Sequence, residues 1–174
     1  MTHIERPVPG EYHPHAETYV RLVTPGAVLA ALETNGRATV ALLREQPEER
    51  GSFAYAPGKW TLKQVVAHMT DTERVFAARA LYAARGDAGP LPGFDQDAWA
   101  NAFDVTRVPL ASLVTEFETV RASTLFLLRH LAPDAWTRRV HANGVSTTVR
   151  ALAYMIAGHE LHHASILRRE YVPR

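Results

Sequence analysis

Cysteine is absent from this chain. That excludes a disulfide framework, a thiolate metal site and a cysteine nucleophile. Also absent is any apolar run approaching the roughly 20 residues of a membrane span. The opening MTHIERPVPGEYHPH has no apolar stretch of the kind a secretory signal requires. A cytoplasmic location with no membrane partner is the expectation. Charge imbalance is missing as well: 19 basic and 18 acidic residues leave a net charge of +1. This gives no electrostatic case for nucleic acid, whose binding rests on neutralising phosphates. Neither an internal repeat nor a low-complexity segment is visible.

What is present is a globular composition, 47% hydrophobic and 21% charged over 174 residues, enough for one domain with a sizeable core. Residues 1–15 hold three prolines and three histidines. Proline withholds amide donors, so residues 1–23 read as an extended arm, with His3, His13 and His15 in solvent. Residues 24–174 read as a single domain.

Four stretches carry the 3.6-residue apolar period of amphipathic helices. The first is expected from Thr24, as N-cap with Pro25 behind it, to about Gln46, with Val28, Leu32, Val40 and Leu43 facing inward. The second opens on a capping box, Thr61 with Gln64, and runs to about Arg85, where Gly86 stops it. The third spans Pro109 to about Leu131. The fourth begins near Thr147 or Thr148 and contains ALAYMIAGHELHHASILRR. Asn143-Gly144 before it fits a short hairpin, and Asp95–Phe103, in the long connection, fits a short helix. Four helices of roughly 20 residues predict an all-α four-helix bundle.

The last helix carries the chemistry. Leu152, Met155, Ile156, Ile166 and Leu167 form one stripe, with His159 and His163 in its middle. Two imidazoles one turn apart can reach a single metal ion, and a buried stripe holds polar rings only where something satisfies them. His68, two turns inside the second helix, is the candidate third ligand. The plainer alternative is that the core histidines bond each other or a carbonyl. His159-Glu160-Leu161-His162-His163 also fits HExxH, in which the Glu is a general base. His162 sits at the stripe's edge and reads as surface. His130 and His141 read as a helix-end cation and a loop residue. Arg85-Gly86-Asp87 is a helix end and carries no weight as an adhesion motif.

Glu73 and Arg121 each interrupt the apolar stripe of their helix, and two inward charges on facing helices predict an ion pair. Glu73 serving the site as a base or extra ligand is the alternative. Asp95 and Asp97 are candidates for proton transfer or substrate orientation, with helix capping as the competing role. Asp71 could orient a ring but points off the stripe, toward solvent.

Gly58-Lys59-Trp60-Thr61-Leu62, Val66-Ala67-His68-Met69, Asp71-Thr72-Glu73-Arg74, Pro92-Gly93-Phe94-Asp95-Gln96-Asp97 with Trp99, and Gly158-His159-Glu160 with His162-His163 together resemble the DinB/YfiT-like superfamily, from about residue 24 onward. The resemblance implies an up-down-down-up four-helix bundle. It implies metal ligation by one histidine on the second helix and an HxxxH pair on the last, here His68, His159 and His163. That third ligand from upstream argues against the HExxH reading of Glu160. It further implies a divalent transition metal, Zn or Ni first and Fe or Mn next. The implied activity is that of a metal-dependent enzyme activating a low-molecular-weight thiol, as an S-transferase, or a water, as a hydrolase. A small-molecule substrate and a homodimer belong to the same expectation. The competing class is a non-catalytic metal-binding or stress-response bundle in which the ion is structural. A third is a metal-free small-molecule module.

Overall fold

A computed structural model describes residues 3–172. In chain order it contains α1 (Glu17–Val20), α2 (Val28–Arg44), α3 (Leu62–Ala84), α4 (Gln96–Ala102), α5 (Leu110–Arg129), the strands β1 (Arg139–Ala142) and β2 (Val145–Thr148), and α6 (Val149–Ile166). Helices α2, α3, α5 and α6 form the four-helix bundle. Each contacts two of the others: α3 lies against α5 and α6, and α2 closes the ring against the same two.

The apolar core is divided at mid-height. One cluster gathers Leu32 from the start of α2, Phe76 and Ala80 from the end of α3, Leu128 from the end of α5 and Leu152 and Ile156 from the start of α6. The other gathers Leu43, Leu62, Val66, Leu113, Phe117 and Leu167 from the opposite ends of the same helices. Helices α2 and α6 therefore run one way and α3 and α5 the other, which is the up-down-down-up order. Between the two clusters lies a buried polar layer of Thr39, His68, Thr72, Glu73, Arg121, Thr124, His159 and Glu160. Everything of chemical interest sits in or beside this layer.

Local signals explain most boundaries. Thr61 accepts the Gln64 amide and Gln64 returns a bond to the Thr61 amide, so the capping box starts α3 as expected. Thr148 accepts the Ala151 amide and starts α6. The hairpin is present, with Asn143 (φ 52°) and Gly144 (φ 74°) both left-handed, the requirement of its two-residue turn. One start differs. Thr24 does not cap α2. Gly26 has φ 78° and the Ala27 amide bonds the Thr24 carbonyl at 3.2 Å, so Pro25-Gly26 forms a type II turn and the helix begins at Val28. A left-handed Gly26 cannot continue a helix.

The N-terminal segment, expected as an extended arm over residues 1–23, instead folds onto the bundle across its described residues 3–23. They include a 3-10 turn at Pro14–Ala16 and α1, and they bury Ile4, Tyr12, Val20 and Val23. The physical reason is apolar side chains at intervals too wide to show as a helix. The anchors are polar: the Tyr154 hydroxyl donates to the Ile4 carbonyl (2.8 Å) and accepts the Gly26 amide (2.9 Å), and Arg150 is bidentate to Glu11. The long connection after α3 is tied down as well, through Leu91 bonds to His141 and Asn143. Among the described residues no helix is long and apolar enough to cross a membrane.

Candidate metal centre

Three buried rings converge in the polar layer. The capping box sets the register of α3, which places His68 two turns inside the helix, facing α6. On α6 the four-residue spacing stacks His159 and His163 on the face toward α3. The His159 Nε2 stands 3.0 Å from His68 Nε2 and 3.1 Å from His163 Nε2. One ligand atom from each ring lies within 4.8 Å of the others. The rings are 6%, 5% and 9% exposed.

Hydrogen bonding alone does not satisfy this arrangement. A neutral imidazole has one N–H and one lone pair, so the His159 Nε2 can complete a bond to only one of its two neighbours. An ion at the centre would engage all three lone pairs. Nitrogens bound at 2.0–2.1 Å around a tetrahedral or octahedral ion lie about 2.8–3.4 Å apart, and the two separations from the His159 Nε2 fall in that interval. The donor set therefore fits a divalent transition metal. Burial lowers the pKa of His68 to about 4, against a small opposing push from Asp97, and that of His163 to about 3, reinforced by His68 and His162. His159 is held well below its ordinary value by burial and then by His163 and His68. All three are thus neutral at pH 7, the form that ligates.

Aromatic rings hold the cluster from two sides. Trp60 packs on His68 at 4.7 Å and Tyr19 meets His159 edge-on at 5.3 Å. Tyr19 reaches this position because α1 lies on Gly158; a Cβ there would stand 2.1 Å from the Tyr19 carbonyl oxygen. From sequence neither ring has a role at the site, although Trp60 lies in a stretch that carries the family resemblance and a glycine directly before His159 in a helix signals close packing.

Behind the rings is a buried charge cluster. The expected Glu73–Arg121 pair is present, with Arg121 Nε and Nη2 donating to the two carboxylate oxygens at 2.9 and 2.8 Å. A second acid, unforeseen, joins it: Arg121 Nη1 donates to Glu160 at 2.6 Å and to the Leu32 carbonyl at 2.7 Å. Gly36 makes the room, since a Cβ there would be 2.7 Å from Nη1. Glu160 thus faces Arg121 and not the ring nitrogens, so the HExxH reading has no geometric support. Burial costs Arg121 some proton affinity, but Glu73 and Glu160 outweigh it and hold its pKa above the usual value; burial raises that of Glu160.

The other candidates separate. Asp95 caps α4, accepting the Asp97 and Ala98 amides at 2.9 and 3.0 Å. Asp97 stands in the wall of an open cavity of about 240 Å³ that reaches His163 and is lined also by Tyr55, Lys59, Trp60 and Tyr171. Asp71 pairs with Arg74 at 3.4 Å. His162 is exposed and meets His163 edge-on at 5.1 Å. A larger cleft of about 560 Å³ beside Thr61, Lys63 and Gln64 includes none of the three histidines.

The class so defined is a four-helix bundle with three inward histidines, from two antiparallel helices, that could hold a metal ion. The sequence model of the DinB superfamily matches residues 31–167, and the chain belongs to that superfamily. Among curated relatives, a protein of Oceanobacillus iheyensis named "putative metal-dependent hydrolase" is 25% identical over 122 residues, which is 70% of each chain. A Geobacillus kaustophilus protein of the same description is 23% identical, covering 80% of this chain and 78% of its own. Among solved structures, YfiT from Bacillus subtilis, described as a probable metal-dependent hydrolase with an unusual four-helix bundle topology, superposes with a TM-score of 0.69 at 18% identity. The alignment covers 82% of this chain and 85% of YfiT. A mycothiol-dependent maleylpyruvate isomerase gives a TM-score of 0.68 at 15% identity, covering 79% of this chain and 58% of that one. At these identities the structural matches speak for the fold.

Proposed function

We propose that this protein is a divalent-metal-dependent enzyme acting on a small molecule, with His68, His159 and His163 as the metal ligands. The observation that carries the reading is three ring nitrogens within 4.8 Å of one another, the His159 Nε2 standing 3.0 and 3.1 Å from the other two, at the end of an open cavity. An ion held by three neutral rings would supply Lewis acidity at an open position and lower the pKa of a water or low-molecular-weight thiol bound there. Zn or Ni comes first, then Fe or Mn, since imidazole suits several of these. The nucleophile is that thiol, as in an S-transferase, or water, as in a hydrolase. The names of the O. iheyensis and G. kaustophilus relatives support the second and the isomerase neighbour supports a thiol. A cytoplasmic location and a homodimer belong to the same proposal.

The chain's own residues have distinct tasks. Trp60 and Tyr19 exclude water from the backs of His68 and His159 and fix their tilt. Asp97, with no ion-pair partner among the described residues, holds or moves a proton at its carboxylate in the wall of the cavity that also reaches His163. Asp95 keeps α4, and so Asp97, in register. Glu73 acts through Arg121 as a positioning residue, since both its oxygens are engaged there. A purely structural ion would call for a fourth side-chain ligand. Among the described residues the ligand group contains three histidines and no fourth member, which favours catalysis. The test is metal content by mass spectrometry on untagged wild type and His159→Ala, followed by a screen of low-molecular-weight thiols with a chromogenic electrophile and of hydrolysable esters and amides. One equivalent of metal lost in the variant, with turnover that follows metal loading, is expected. Metal uptake unchanged by His159→Ala would overturn the ligand set.

A further inference from the structure

The cavity that reaches His163 has a character of its own. Its walls are aromatic and held rigid: the Tyr171 hydroxyl donates to the Trp60 carbonyl at 2.6 Å, Arg50 Nε donates to the Tyr171 carbonyl at 2.7 Å, and Tyr55 meets Tyr171 edge-on at 5.4 Å. Gly58 (φ 73°) and the bond from the Lys59 amide to the Ala56 carbonyl make Ala56–Lys59 a type II turn, which fixes Lys59 at the wall. Of the 19 basic residues just two are lysines, Lys59 and Lys63. Lys63 is committed elsewhere, its stem against Gly51 and its ammonium on Glu48 at 2.5 Å. Lys59 makes no ion pair or side-chain hydrogen bond among the described residues. Asp97 lines the same cavity but lies beyond ion-pair distance of Lys59, and its charge acts on His68. Cation and carboxylate therefore line one cavity without pairing. Three neutral rings cancel none of a divalent ion's charge, so with an ion bound the region is net positive even after Asp97 and the excess carboxylate of the buried cluster are counted; without the ion the local contact rests on Lys59 alone. A flat-walled cavity with a cation that has no partner among the described residues suits an anion with a planar body, the more so with an ion bound at the histidines.

We propose that this cavity is the substrate subsite and that it selects a small carboxylate with a flat, unsaturated or aromatic body, the carboxylate on Lys59 and the body against Trp60, Tyr55 and Tyr171. The inference rests on the metal-dependent reading above for its catalytic meaning, but the Lys59 contact does not need the ion. The probes are cinnamate and its neutral isostere cinnamamide, titrated into metal-free and zinc-loaded protein. The readout is the Trp60 indole N–H resonance, assigned with Trp60→Phe. In the metal-free wild type cinnamate binds about fivefold tighter than cinnamamide, the size of a partly exposed charge contact. Lys59→Met removes that preference, Lys59→Arg keeps it, and the same loss appears on top of the ion's own attraction in the zinc-loaded form. Equal preference in wild type and Lys59→Met, or no Trp60 shift with either probe, overturns the subsite. Zinc stoichiometry is read separately on the same samples. If zinc does not bind while the Lys59-dependent preference holds, the subsite stands and the metal reading falls.

Discussion

Replacing Arg121 with Met probes the polar layer most directly. The side chains of Arg121, Glu73 and Glu160 are 6%, 3% and 2% exposed, and the guanidinium makes every strong bond the two carboxylates have. Met fills similar volume, so the change removes charge with little cavity. Two ionised acids would be left without a counter-charge beneath the histidines. Breaking a buried pair by deleting one partner costs about 3–5 kcal/mol, against a total stability of about 5–15 kcal/mol for a domain. The variant should therefore be near its folding limit at neutral pH. Its pH dependence is diagnostic. Burial already raises the folded-state pKa of Glu160 above the unfolded value with Arg121 in place, and loss of the guanidinium removes the opposing pull. A group so raised stabilises the fold below its unfolded pKa and loses that contribution as pH rises through the folded pKa. Through Glu160 the deficit relative to wild type should shrink by about 1–2 kcal/mol as pH is lowered from about 8 to about 6. Urea unfolding of the metal-free proteins across that range measures it, and referring each point to wild type cancels the histidine titration. Arg121→Met combined with Glu73→Gln and Glu160→Gln should recover most of the loss at pH 8. A deficit independent of pH, or a triple variant no better than the single one, would refute the electrostatic account.

Other consequences follow from the same geometry. Gly158→Ala puts a methyl 2.1 Å from the Tyr19 carbonyl; it should cost about 1–3 kcal/mol and expose the first 23 residues to limited proteolysis, whereas unchanged protection would mean that α1 does not depend on that contact. The metal-free protein should lose stability as pH falls from about 6.5 toward 4. His68, lowered to about 4, binds its proton in the unfolded chain first and contributes about 2 kcal/mol of loss by pH 5. A flat urea midpoint over that interval would contradict neutral buried rings. Asp95→Ala should cost about 1 kcal/mol through the lost cap of α4. Asp97→Asn should leave zinc uptake intact and depress turnover with any substrate found, read as kcat against metal content; full activity in Asp97→Asn would remove it from the mechanism.

The helices could be read along the chain because their cause is local. Apolar period, the Thr61 capping box, the Asn143-Gly144 turn and Gly86 act over a few residues, and each lies where it was expected. The Glu73–Arg121 pair was readable for a similar reason: a charge inside an apolar stripe requires a partner, and each helix supplied one. The pairing of His159 with His163 is helical geometry and nothing more. By contrast, Thr24-Pro25-Gly26 carries both a capping signal and a turn signal, and contact with Tyr154 selects the turn. Docking of the N-terminal segment, the arrival of Glu160 at Arg121 and the placing of Lys59, Trp60 and Tyr171 around one cavity join residues up to 150 positions apart. No local period encodes such distances. They follow from the packing of α1 on Gly158, the room left by Gly36 and the up-down-down-up order of the helices. His68 meets His159 across 91 residues of chain for the same reason. Backbone propensities act on neighbours in sequence, whereas burial and charge compensation act on neighbours in space, and those neighbours exist only once the bundle has closed.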